Sequence, residues 1–184
     1  MDDGRIIVRL AQPSDQVYAQ QISEETERSA IARGSGISKR SVNSIIEKID
    51  AGKAIMAVSA SGEWVGFSYF DVWDNGKFVS NSGLIVSPGY RQNGVAAEIK
   101  ERVFNLCRCK YPQAQVFSIT SGLAIMKLNT RLGFEPVTYE QITHDETFWE
   151  GCKSCVNYDV LNSKHKCNCL CTAMLYTPDK INQQ

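Results

Sequence analysis

The sequence predicts an α/β chain, specifically an α+β mixed sheet, with the element order β-α-α-β-β-β-α-β-α-β-β. Three observations carry this expectation. Three strand-like runs follow one another between residues 54 and 86, divided by Ser61-Gly62 and Asp74-Asn75-Gly76. Apolar residues at helical spacing stand on both sides of that meander. A further short apolar run, 115–119, lies between two such helices, so crossovers join it to the other strands.

Residues 5–10 alternate enough for a first strand. Pro13-Ser14-Asp15 then offers a helix start, and Val17, Tyr18 and Ile22 follow at near-helical spacing. Arg33-Gly34-Ser35-Gly36 is a breaker and reads as a loop. Val42, Ile45, Ile46 and Ile49 fall at i, i+3, i+4 and i+7, and Gly52 ends that second helix. The meander strands run over 54–60, 63–73 and 78–86, and Asn75-Gly76 favours the positive φ angles of a tight hairpin turn. Pro88 and Gly89 break the third of them. Val95, Ile99, Val103 and Leu106 mark a long helix that stops at Tyr111-Pro112. After the run 115–119, Ile125, Leu128 and Leu132 give another helix, ended by Gly133. Residues 134–143 supply a sixth strand and 168–176 a seventh. The chain 1–184 is thus expected to be a single domain, with an irregular cysteine-bearing insertion at about 145–167 before the last strand.

Bulk properties narrow the function. Lys+Arg and Asp+Glu both total 20, so the charge excess of a general nucleic-acid or membrane-surface binder is absent. No run approaches the roughly 18 apolar residues of a transmembrane helix. The acidic start Met1-Asp2-Asp3-Gly4-Arg5 is unlike a signal peptide, and a cytoplasmic location is expected. Seven cysteines are an odd number at uneven spacing, which suits reduced thiols better than a disulfide framework.

The stretch Leu84 to Ala96 carries the most chemistry. A strand ends, a turn follows, and a helix begins at Gly94. The first amides of a helix lack intrahelical acceptors and lie at its positive dipole end, where an anion is favoured. Gly94 and Ala96 are small enough for a phosphate to approach the backbone, and Arg91 adds a positive charge. The physical reading is a phosphate or pyrophosphate cradle.

Here the chain resembles the GNAT superfamily of N-acetyltransferases, whose pyrophosphate loop reads Gln/Arg-x-x-Gly-x-Gly/Ala. Arg91-Gln92-Asn93-Gly94-Val95-Ala96 fits all the specified positions, after the third meander strand and before an amphipathic helix. Downstream, Ile125 to Phe134 resembles the helix and Gly-Phe ending that follow the family's fifth strand. The resemblance implies the GNAT acyl-CoA N-acyltransferase fold and an enzyme that transfers an acetyl group from acetyl-CoA to an amine, by direct attack on the thioester. Backbone groups of Leu84, Ile85 and Val86 would pair with the pantetheine arm, and amides from Gln92 to Ala96 would hold the pyrophosphate. Strands four and five would splay apart at Val86 and Ser118, and an N–H near Ile85 or Val86 would polarise the thioester carbonyl.

The family pattern breaks at two points. Where many members carry a tyrosine as general acid, five positions before the Gly-Phe phenylalanine, this chain has Asn129. Asn129 is the catalytic candidate by position, as a hydrogen-bonding group toward the CoA sulfur and not as a proton donor. Strand four also lacks a carboxylate base, leaving Asp71 and Tyr90 as the nearest alternatives, or a base acting through water.

In this fold the loop between the first two helices commonly lines the acceptor pocket. Here Arg33, Lys39 and Arg40 offer cations to a substrate carboxylate, which favours an amino acid such as glutamate as the acceptor. Glu24, Glu25 and Glu27 argue instead for a polyamine. Cys152, Cys155, Cys167, Cys169 and Cys171 are read as small buried hydrophobes ahead of a zinc site, the last three alternating along the seventh strand, and no metal is assigned. The expected partner is a small-molecule amine, with no nucleic acid or membrane, and by analogy the last strand joins two copies in a homodimer. The alternative function is a catalytically weak CoA-binding sensor or regulatory module of the same fold.

Overall fold

A computed structural model describes residues 5–34, 36 and 39–178. Seven strands form one sheet in the order β1-β2-β3-β4-β5-β7-β6. They are β1 (Ile6–Leu10), β2 (Ala54–Ser59), β3 (Trp64–Trp73), β4 (Phe78–Val86), β5 (Gln115–Thr120), β6 (Glu135–Val137) and β7 (Thr172–Tyr176). Only β4 and β5 run parallel; every other pairing is antiparallel. The expected mixed sheet and element order are both present.

Side chains alternate strictly across β2, and both faces are covered. Ile55 and Ala57 pack with Val95, Ile99 and Val103 of α3 (Val95–Lys110). Ala54, Met56 and Val58 face Ile22 of α1 (Ala19–Arg33) and Ile45 and Ile49 of α2 (Val42–Asp50). Ser41 caps α2 by accepting from the Ser44 amide, and Gly52, at φ 63°, turns the chain into β2. The first predicted helix divides: Pro13–Tyr18 is a 3₁₀ turn, and α1 proper begins at Ala19. Asp15, bound by the Arg9 guanidinium at 2.7 and 2.9 Å and by the Gln12 amide at 2.7 Å, fixes that turn to β1.

The C-terminal third departs from expectation. The sixth strand is three residues, Glu135–Val137, not 134–143. It carries Pro136, which suits an edge strand, and the Thr138–Gln141 capping box then ends it. The seventh strand begins at Thr172, so Cys167, Cys169 and Cys171 precede it and do not alternate along it. β7 lies between β5 and the three-residue β6. The insertion is not irregular. Two short helices, α5 (Glu146–Glu150) and α6 (Tyr158–Ser163), pack Trp149 and Leu161 on Phe78, Phe117 and Leu175. The Trp149 indole donates to Thr143 O at 3.1 Å, anchoring this layer to the chain that leads into it. The helix before β6 is α4 (Leu123–Arg131). No helix among the described residues is long and apolar enough to cross a membrane.

Candidate active site

The parallel pair β4–β5 holds for only three residue pairs, ending at Ser80 and Phe117. Beyond that the strands separate, from Asn81 on β4 and Ser118 on β5. The divergence point on β5 is as expected; on β4 it comes earlier than Val86. The cause lies on the other side of β4. Between the pairs Phe67–Ile85 and Tyr69–Ser82 the register slips by one residue, a bulge that turns β4 away. Gly83 takes φ 67° there, and a Cβ on it would run into the Tyr69 ring. Glycine is therefore required twice, for its backbone angle and for the closeness of the ring.

The fork opens into a cavity of about 530 Å³ on the sheet face opposite α3. Leu84, Ile85 and Ser118 line it, and Val86 does not. One wall comes from the α1–α2 side, with Arg33, Lys39 and Arg40, and the opposite wall from α5 and α6, with Phe148, Trp149 and Tyr158. The two walls are tied: the Lys39 amide donates to Ser154 Oγ at 3.0 Å. A Cβ at Gly36 would strike the Asn157 amide and Cys155 Sγ, so glycine lets the loop seat on the insertion. Ser35, Ile37 and Ser38 of that loop lie outside the described residues.

The three acceptor-side cations differ in engagement. Arg40 Nε donates to the Tyr69 hydroxyl at 2.7 Å, which places its head group beside the fork. Arg33 Nε bonds Ser29 O, and Lys39 pairs with Glu27 at 3.0 Å on the surface. The carboxylates proposed for a polyamine are otherwise committed. Glu25 is buried and bound by Arg91, Arg28 and Ser29, and Glu24 accepts from Gln20. None of Glu24, Glu25 and Glu27 lines the cavity.

The loop from Arg91 to Ala96 combines exposed backbone amides with an arginine that points away from them. Gln92 and Gly94 both take positive φ, 69° and 76°, so successive amides fold into a concave nest ahead of α3. Gln92, Asn93 and Gly94 are exposed, Val95 anchors the helix in the core, and no protein atom crowds the Cβ direction of Gly94. The amides of Val95 and Ala96 have no intrahelical acceptor. Arg91, however, turns toward α1. Its Nε donates to Val86 O at 3.0 Å, and its Nη2 to Glu25 and Ser29, each at 2.8 Å. It braces the loop with its charge matched by buried Glu25, which corrects its expected part as the positive charge beside a phosphate.

Asn129 also needs correction. It is fully buried, donates to Met174 Sδ at 3.5 Å, and does not line the cavity. The helix α4 turns that position into the core between itself and β7. Of the alternative bases, Asp71 does line the cavity but is ion-paired to Lys48 at 2.7 Å and Lys53 at 3.7 Å. Tyr90 lies elsewhere, its hydroxyl on Glu63 at 2.6 Å.

Of the five late cysteines, Cys152 and Cys169 pack, partly buried, against the hydrophobic layer around Trp149. Cys152, Cys155, Cys169 and Cys171 are half-buried on the cavity wall, and Cys167 is exposed. Burial, with neighbouring thiols adding to it, pushes Cys152 up to about 11 and Cys171 up to about 12. Both are therefore neutral thiols and poor nucleophiles near pH 7. Among the described residues, no three His, Cys, Asp or Glu side chains are arranged to hold a metal ion.

Sequence reasoning missed the floor of the fork. Lys100 of α3 is 2% exposed, yet its Nζ reaches Asn81 Oδ1 at 3.1 Å and Ser118 Oγ at 3.4 Å. The signal was present: on a helical wheel Lys100 falls between Phe104 and Cys107, inside the buried face.

No protein-family model and no curated protein matches the chain. Solved structures do. Rv2747 from Mycobacterium tuberculosis, solved in complex with CoA and NLQ, superposes with a TM-score of 0.64 at 20% identity, over 93% of this chain and 98% of its own. N-acetylglutamate synthase from Neisseria gonorrhoeae, complexed with coenzyme A and N-acetyl-glutamate, gives 0.66 at 12% identity, over 95% of this chain and 35% of its own. A GNAT superfamily phosphinothricin acetyltransferase from Sinorhizobium meliloti, in complex with AcCoA, gives 0.61 at 16% identity, over 94% of this chain and 88% of its own. The chain has the GNAT acetyltransferase fold.

Proposed function

We propose that the protein is an acetyl-CoA-dependent N-acetyltransferase whose acceptor is the amine of a small molecule, with an amino acid such as glutamate favoured. The observation that carries this is the fork: two parallel strands part after three pairs, and a cavity opens there between two walls. The amide nest at Gln92 to Ala96 supplies oriented donors for a pyrophosphate. Leu84 and Ile85, on the freed part of β4, offer main-chain groups to an extended pantetheine arm. Two of the similar structures hold CoA together with NLQ or N-acetyl-glutamate. In this chain Arg40 and Arg33 provide cations on the acceptor wall for a carboxylate.

The chemistry asked of the protein is mainly positioning. The amine attacks the thioester carbonyl, a C–N bond forms, and the C–S bond breaks to release CoA thiol. Holding both reactants in one slot converts a bimolecular reaction into an effectively unimolecular one. Release of CoA thiol, followed against the common amino acids and several polyamines, tests the reading. Turnover with glutamate or another amino acid supports it. Turnover confined to polyamines would sink the amino-acid assignment. CoA binding without acetylation of any amine would favour a sensor of the same fold.

A further inference from the structure

Among the described residues, Lys100 is the one buried lysine, and the fork encloses it. Its two hydrogen-bond partners, Asn81 and Ser118, are the first residues of β4 and β5 beyond the last paired positions. Lys100 therefore sits in the crotch of the fork and lines the cavity. An ammonium has three donors, and only two are used here. Asn81, 3% exposed, adds an Nδ2 with no partner. The floor of the slot is thus rich in donors and has no anion of its own. Cys107, on the same helix, is the titratable group set against Lys100, and burial pushes that thiol up to about 12, so it stays neutral. From β4, β5 and the segment after α4, the groups that meet Lys100 are Asn81, Ser118 and Phe134, whose ring centre lies 5.8 Å from Nζ. None of these ionises.

Building on the acetyltransferase reading, we propose that Lys100 is the proton donor to the departing CoA sulfur, the part for which Asn129 is wrongly placed. As the tetrahedral intermediate collapses, the C–S electron pair moves to sulfur, and sulfur takes a proton from the Lys100 ammonium. The products are the N-acetylated amine, CoA thiol and neutral Lys100. The attacking amine loses its own proton to water, and Lys100 regains one from solvent, so the reaction is proton-neutral overall. Burial lowers the Lys100 pKa to about 7, below the roughly 8.5 of a free thiol, so transfer from ammonium to thiolate runs downhill. Near neutral pH a donor with such a pKa is both populated and strong enough to act.

The test uses the full chain, Lys100→Met and Lys100→Arg. In Lys100→Met, kcat is expected to fall about 10²-fold, the lower end of general acid catalysis, while CoA affinity stays within about threefold. Wild-type kcat should decline on the alkaline side of an apparent pKa near 7, a limb absent from Lys100→Met. Lys100→Arg keeps the charge but cannot release the proton, so it should be as slow as Lys100→Met. Wild-type kcat in Lys100→Met, an unchanged pH profile, or activity retained by Lys100→Arg would each overturn the proposal, as would a variant that simply loses CoA. A wild-type protein that turns over no amine would end the acetyltransferase reading, and the assignment would then be decided by titrating the Lys100 ammonium by NMR. An apparent pKa that differs between the CoA and desulfo-CoA complexes places the sulfur against Lys100; identical values remove it.

Discussion

The two donor-rich regions of this molecule, the nest before α3 and the floor of the fork, are built by opposite means. The nest is built from backbone amides at the surface, aligned by two residues of positive φ. The floor is built from side chains of α3, β4 and β5, deeply buried at the bottom of the cavity. The nest keeps its charge pattern at any pH, since amides do not titrate, and it gains from a helix dipole that salt screens. The floor has one group that titrates near neutrality and is screened little, because it is buried. The difference suits a permanent anion at the nest and a transient one at the floor.

Several changes would break or sharpen that contrast. The largest effect after loss of Lys100 itself belongs to Gly94→Val. A branched side chain at φ 76° is strained by about 1–2 kcal/mol and shields the amides. CoA affinity should fall about tenfold or more by calorimetry, with kcat at saturation nearly unchanged. An intact affinity would show that the nest is not where the anion rests. Gly36→Ala should act on the acceptor wall alone. Its methyl meets Asn157 and Cys155, overpacking that costs about 1 kcal/mol or more, so the acceptor KM should rise about fivefold while the CoA Kd holds.

The pH dependence of stability distinguishes the floor from the nest. The Lys100 pKa in the folded chain, about 7, lies below the 10.5 of the unfolded chain. Between these values the unfolded state binds the extra proton, so unfolding free energy from this group rises with pH across that window. Below about 7 the penalty for burying the charged form is fully present. Denaturant titrations at several pH values should show this slope in the wild type, and Lys100→Met should lose it. A slope that survives the substitution would locate its source elsewhere. The smallest effect is expected from Asn129→Leu: kcat within about twofold of wild type and stability little changed, because the weak bond from Nδ2 to Met174 Sδ is lost together with a buried Oδ1 that has no partner. A large fall in kcat would return Asn129 to the reaction.

How far each feature was legible depends on how local its cause is. The apolar spacing in 42–49 and 95–106 and the Asn75-Gly76 turn report on neighbours along the chain, and all three appear where expected, with the turn spanning Asp74 to Lys77 between paired Trp73 and Phe78. The short helices of the insertion were hidden because they are held by Trp149 and Leu161 against distant strands, and their own periodicity is too brief to read. Cys167 to Cys171 alternate in sequence, but pairing begins only at Thr172, where β5 offers a partner.

By itself the sequence determined the order of elements, the glycine-rich start of α3 and the likeness to acetyltransferases, because periodicity, φ preference and motif spacing are properties of short segments. The tertiary structure decided that Arg91 braces α1, that Asn129 turns inward, and that a lysine stands at the crotch of the fork. Those outcomes depend on which atoms, remote along the chain, arrive within hydrogen-bond distance, and in particular on a bulge at Gly83 that parts β4 from β5.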